Sequence, residues 1–183
     1  FSSPFGWHDD NGVAGPEWMV TRGNNAHAYQ DQDDDEAEDF GSSPSGGAGL
    51  DFLVTADLTE HAQAYRDAAT TNLFYWNNAF HDILKRYGFN EAADNFQTIN
   101  YGGGHFSNGD YVRAEAADGS GTNNANFSTP AQGGSPRMQM FLWPGNQFGS
   151  QNQVVIGATN YGAAWARYGP PAGFAITPSK PAP

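Results

Sequence analysis

The chain has 183 residues and no cysteine, with 8 Lys+Arg against 20 Asp+Glu for a formal net charge of −12. That acidic excess repels phosphate backbones and anionic lipid, which argues against nucleic-acid and membrane-surface partners. The absence of thiols excludes disulfides, thiolate metal sites and cysteine nucleophiles, while 38% apolar and 14% aromatic content suffices for the core of one domain or two small lobes.

No stretch approaches the roughly 20 apolar residues that span a bilayer. The start, Phe1-Ser2-Ser3-Pro4, reads as a processed end or a cut boundary. Few lysines with much Gly, Asn, Ser and aromatic suit a secreted, extracellular protein. Residues 1–30 read as short strands and turns, with Asn11-Gly12 a turn and Glu17–Thr21 a strand closed by Gly23-Asn24-Asn25. Residues 31–49 form an acidic, then Ser/Gly-rich loop, and Asp51–Val54 a short strand. Leu73, Trp76, Phe80, Ile83, Leu84 and Tyr87 recur at three- and four-residue steps, predicting a helix from about Ala62 to Tyr87. Asp57 and Glu60 supply a capping pair upstream, and Lys85, Arg86 and Gly88 a C-terminal stop. Asn90–Asp94 adds a short turn.

Beyond residue 104 the period changes to two. Tyr111–Glu115 reads as a strand, Asp118-Gly119 as a turn, Asn123–Ser128 as an extended segment and Arg137–Trp143 as another strand. Val154–Ile156 reads as a further strand, followed by a Pro-rich exit past Gly169-Pro170-Pro171. The expected fold class is α+β: a small antiparallel β-sheet packed on one long helix, with Met138, Met140 and Leu142 meeting Trp76, Phe80 and Leu84.

No complete catalytic constellation is present. None of the five histidines stands in His-Glu-x-x-His, and there is no Gly-x-Ser-x-Gly elbow or phosphate-binding loop. His81-Asp82 reads as a helix-packing histidine beside a solvated or capping carboxylate, since adjacent helical residues point about 100° apart. His8-Asp9-Asp10 reads as turn chemistry. Residues 31–39 hold seven carboxylates. Asp31, Asp33 and Asp35 at alternate positions are candidate ligands for one hard cation, calcium, with Glu36 or Asp39 completing the shell; a solvated acidic loop is the competing account. In Gly119–Phe127, a small alanine between amide side chains leaves backbone groups reachable for a peptide to add as a strand, against the plain alternative of an Asn/Gly-rich connection.

Several ordered blocks carry a resemblance. Asn72–Asp82, Tyr87–Phe96, Gly109–Val112, Asp118–Phe127 and Pro136–Trp143, with Ser3–His8 and Thr21–Asn25 at the front, resemble the fungalysin family of secreted zinc metalloendopeptidases, a thermolysin-like group with two lobes around a cleft. The resemblance implies a thermolysin-like N-terminal lobe over 1–145. Residues 146–183 would be a strand and Pro-rich lead-in to an inserted domain or C-terminal lobe. It implies that Asn124 and Ala125, with Asn123, belong to the edge strand that binds substrate backbone. Zinc and a glutamate base would come from a C-terminal catalytic lobe, because this chain lacks the His-Glu-x-x-His helix. The expected partners are that lobe and a peptide or protein substrate, and the chain alone is expected to be inactive. The other readings are a non-catalytic module binding peptides or surfaces, and a structural subunit built from the same lobe.

Overall fold

In a computed structural model, residues 3–57, 60–102, 109–131 and 133–143 are described. They form β1 (Ala26–Gln30), the helix α1 (Arg66–Arg86), β2 (Val112–Thr122), β3 (Ala125–Ser128) and β4 (Arg137–Leu142), with short 3-10 turns before and after the helix. The α+β class is as expected, but the sheet is mixed. Its order is β1-β2-β4-β3, with β1 and β4 both parallel to β2, and β3 antiparallel to β4. β1 and β2 are parallel because the long crossover that carries α1 returns the chain to the same end of the sheet, and β4 runs parallel to β2 because β3, between them in sequence, reverses the chain. Only the β2-to-β3 connection is short, and it steps across the end of β4, where the Asn123 N–H donates to the Leu142 carbonyl at 3.0 Å.

The helix begins one turn late. His61, extended, accepts the Gln63 N–H on its side chain and opens a 3-10 turn over Ala62–Tyr65 before the α-helical residues, so histidine occupies the capping place read for Asp57. Asp67 in the first turn and Lys85 and Arg86 in the last agree with the helix dipole. No strand forms at Asp51–Val54, and the Glu17–Thr21 segment makes only a bridge, Val20 to Ser45. Val154–Ile156 lies outside the described residues.

The sheet has two unlike faces. Alternation puts Ala26, Ala28, Val112, Ala114, Ala116 and Met140 on one side, where they pack against Leu73 and Phe74 of α1. Small alanines let the helix sit close over β1 and β2, and burying Leu73 or Phe74 contributes about 1.5–3 kcal/mol each. The expected packing of Trp76, Phe80 and Leu84 under the sheet is wrong: they are 38%, 37% and 44% exposed. The buried helix face is instead Ala69, Thr70, Leu73, Phe74, Asn78 and His81. Buried polar partners turn the helix to that side: Asn78 Oδ1 takes the Asn25 amide at 3.0 Å, and His81 Nε2 meets Gln97 Oε1 at 2.9 Å. The apolar stripe then lies along the flank, where Phe80 and Leu84 join Phe89, Phe96, Phe127 and Met138 around a groove of about 190 Å³.

Candidate functional site

The two edges of the sheet differ. The outer side of β1 is occupied, with the Ala28 N–H donating to Thr21 O at 2.8 Å and the Gln30 N–H to Ser42 Oγ at 2.9 Å. By contrast, among the described residues β3 ends the sheet and pairs with β4 alone, in the register Ala125–Met140, Asn126–Gln139, Phe127–Met138. The Phe141 N–H donates to the Asn124 carbonyl at 3.3 Å, so the 124–141 pair is hydrogen-bonded. Antiparallel alternation then makes 126–139 the next bonded pair and turns the N–H and C=O of Ala125 and Phe127 to the free edge. Asn123 takes a left-handed φ of 56° at the crossing, a conformation asparagine tolerates better than most residues. Asn123 and Asn124 are exposed and Ala125 half-buried. The three residues read from the sequence are therefore together, but their backbones differ in use: the carbonyl of Asn124 is spent on β4, while Ala125 faces outward.

The second face of the sheet is a layer of charge. His27 and Tyr29 of β1, Arg113 and Glu115 of β2, and Arg137 and Gln139 of β4 share it, and the acidic loop covers it. Arg137 pairs with the Glu36 carboxylate, Arg113 donates to the Glu36 carbonyl, and His27 Nε2 lies 3.3 Å from Glu38 Oε2. Asp31, directly after β1, is fully buried, its two carboxylate oxygens taking the N–H groups of Asp35 and Glu36 at 3.2 and 3.0 Å. Of the predicted cation ligands, Asp31 and Asp33 fall in one group with Asp39, while Asp35 is in neither group placed to share an ion and turns its carboxylate to the Ala37 N–H.

A second group, unforeseen from sequence, is Asp31, Glu115 and Asp118, all buried. The segment read as an Asp118-Gly119 turn continues β2 through a bulge at Ala117, whose φ is 54°. That extra residue returns Asp118 to the charged face, where Gln139 Nε2 donates to it at 2.7 Å. Burial raises the Glu115 carboxyl to about 7 and Asp118 adds to the rise, against the Tyr29 hydroxyl and Arg113. Burial also raises Asp31, aided by the charges of Asp118, Asp35 and Asp33.

Comparison with known proteins decides the family. The model for fungalysin metallopeptidases matches residues 1–162. The chain belongs to the fungalysin family. An extracellular metalloproteinase of Fusarium vanettenii is 44% identical over 143 residues, 78% of this chain and 22% of that protein. One from Leptosphaeria maculans is 38% identical over 176 residues, 93% of this chain and 27% of that protein. Extracellular metalloproteinase 2 of Trichophyton tonsurans is 41% identical over 152 residues, 77% and 22%. The chain thus spans about a quarter of the length of these relatives. Their names agree with the extracellular expectation, and no described helix is long and apolar enough to cross a membrane.

A metal, generally zinc, goes with a fungalysin metallopeptidase, but this chain's donors do not fit one. His-Glu-x-x-His is absent from the sequence, and among the described residues both groups placed to share an ion contain carboxylates alone. The histidines are otherwise engaged: His8 Nδ1 with Arg22 O at 3.1 Å, His27 Nε2 with Ser43 Oγ at 3.0 Å, His81 with Gln97 and Asn95. His81 and Asp82 brace the fold, Asp82 Oδ2 taking the Trp7 indole N–H at 3.0 Å. Asp9 likewise accepts from Gly12 N–H and the Tyr101 hydroxyl within its turn. His105 lies outside the described residues.

Proposed function

We propose that this chain is the substrate-edge lobe of a secreted, zinc-dependent endopeptidase. Residues 1–145 form the lobe, and 146–183 lead to a further domain or the catalytic lobe. The observation that carries the reading is the free edge of β3, with the outward N–H and C=O of Ala125 beside the exposed amides of Asn123 and Asn124. An extended peptide adds to such an edge as a new antiparallel strand, its backbone held without regard to sequence. The zinc-polarised water and its glutamate base belong to the rest of the enzyme; this chain holds the peptide straight and is inactive by itself. The open β3 edge favours peptide binding over the reading of a purely structural subunit.

Ala125→Pro in the full-length proteinase tests this. Proline at 125 removes one of the two outward N–H groups, those of Ala125 and Phe127, and an outward N–H on an edge strand is where a sheet tolerates proline. The expected result is a fall in kcat/KM of roughly ten-fold or more, as for the loss of a backbone hydrogen bond at a site of peptide alignment. A substrate N-methylated at the residue opposite Ala125 should show the same loss without altering the protein. Unchanged hydrolysis in both experiments refutes the assignment.

A further inference from the structure

We propose that Asp31, Glu115 and Asp118 form a buried Ca²⁺ site beneath the acidic loop, on the sheet face opposite α1. One carboxylate oxygen from each lies within 4.8 Å of the others, and the three residues are 0%, 0% and 1% exposed. Ca²⁺ takes six to eight oxygens at about 2.3–2.6 Å, so three oxygens at this spacing are within reach of one ion.

Proximity of acids alone does not make a site. What points to a ligand is the unmet side of Glu115. Its Oε1 is engaged, taking the Tyr29 hydroxyl at 2.8 Å and Arg113 Nη2 at 3.4 Å. Its Oε2 is fully buried and accepts no hydrogen bond among the described residues; Arg137 Nε stands 3.7 Å from it, beyond hydrogen-bond distance. A buried carboxylate oxygen with vacant lone pairs is costly, and buried charges persist when paired or bound to metal.

Charge and donor chemistry agree. Arg113 and Arg137 pair with Glu115, and Arg137 also with Glu36, while Asp31 lies among the carboxylates of Asp33, Asp35 and Asp118. Carboxylates outnumber the guanidiniums there, and a divalent cation would offset their mutual repulsion. The donors are all oxygen, with neither imidazole nor thiolate, which selects a hard ion over zinc. Asp31 also belongs to the outer group with Asp33 and Asp39, so Asp33 extends the shell towards solvent and water fills the remainder. The ion would join the ends of β1 and β2 to the loop above them.

The test is a thermal and calorimetric titration of the purified chain. Millimolar Ca²⁺ should bind about one to one and raise the melting midpoint by roughly 5 °C or more over the chelator-treated protein. Glu115→Gln and Asp118→Asn should each weaken binding roughly ten-fold or more, while Asp35→Asn leaves it unchanged. Anomalous scattering from Tb³⁺-grown crystals of the unaltered chain locates the ion even where a variant folds poorly. No calcium-dependent shift overturns the proposal, and so does an ion found on Asp31, Asp33 and Asp39 away from Glu115 and Asp118.

Discussion

Gly23 has the least room of the described glycines, and the substitution Gly23→Ala measures how little. A Cβ built there would sit 1.6 Å from the Trp7 carbonyl oxygen and 3.0 Å from His8 Cα. Moving that oxygen from 1.6 Å to even 3.0 Å means a backbone shift of 1.4 Å. The displaced segment, Trp7-His8, is not idle. Trp7 O accepts the Asn24 N–H at 3.2 Å, the Trp7 indole holds Asp82 at 3.0 Å, and His8 stacks on Phe52 at 5.2 Å. Overpacking costs about 1–3 kcal/mol, and loosening two hydrogen bonds about 1 kcal/mol each. The sum, about 3–5 kcal/mol, corresponds to a drop in midpoint of roughly 6–20 °C for a chain of this size. Gly49→Ala is the control, since nothing lies within 4 Å of its added carbon. Circular-dichroism melts of both variants decide the matter: a Gly23→Ala midpoint within about two degrees of Gly49→Ala refutes the reasoning.

Leu73 is fully buried against the alanine face, so Leu73→Ala should cost about 3–5 kcal/mol in urea unfolding; a loss below about 1 kcal/mol would mean that α1 does not dock there. Burial lowers the His27 imidazole from 6.5 to about 4, with Arg22 and Arg113 assisting and Glu38 opposing. The folded chain therefore holds it neutral while the unfolded chain protonates it, so its contribution is present above pH 6.5 and lost as pH falls towards 4, by about 3 kcal/mol in all. His27→Gln should flatten the stability profile over that range, and parallel profiles for the two proteins would exclude the mechanism.

The sequence spoke clearly where one signal dominated. The 3.6-residue period placed α1, and the two-residue period placed β2, β3 and β4. It misled where signals competed. Ala26-His27-Ala28-Tyr29-Gln30 alternates, but its apolar face is alanine only, a weak strand former, and β1 carries no signal that sets it apart within residues 1–30, which read as short strands and turns. The stripe Trp76-Phe80-Leu84 is the most apolar side of α1, yet buried hydrogen bonds at Asn78 and His81 set the rotation. Hydrophobicity cannot register that preference. The charged face was hidden for a related reason. Arg113, Glu115, Arg137 and Gln139 alternate with apolar residues along their strands, and nothing in that alternation registers that an acidic loop, anchored through Glu36 on Arg113 and Arg137, covers them. Asp118 escaped notice because Asp-Gly is ordinarily a turn, and only the bulge at Ala117 makes it a buried carboxylate. Ala125 was legible through its neighbours, but which of its backbone groups face outward depends on the β3–β4 register.

That register is held by the same buried layer. Asp118 Oδ2 accepts from Gln139 Nε2 at 2.7 Å, and Gln139 Oε1 accepts from Asn126 Nδ2 at 2.8 Å. The chain of bonds runs from the carboxylate cluster, across β4, to the strand at the open edge. Asn126 is thereby anchored on the charged side, which leaves Ala125 and Phe127 on the other and fixes the outward aim of their peptide groups. A slip of one residue would invert that arrangement, putting Phe127 among the charges and turning the Ala125 N–H inward to β4. An exposed edge is an aggregation hazard unless it is short or interrupted by polar residues, and β3 has four residues, two of them Asn126 and Ser128, preceded by Asn123 and Asn124. The edge can stay open because the layer behind it leaves only one register in which it is useful.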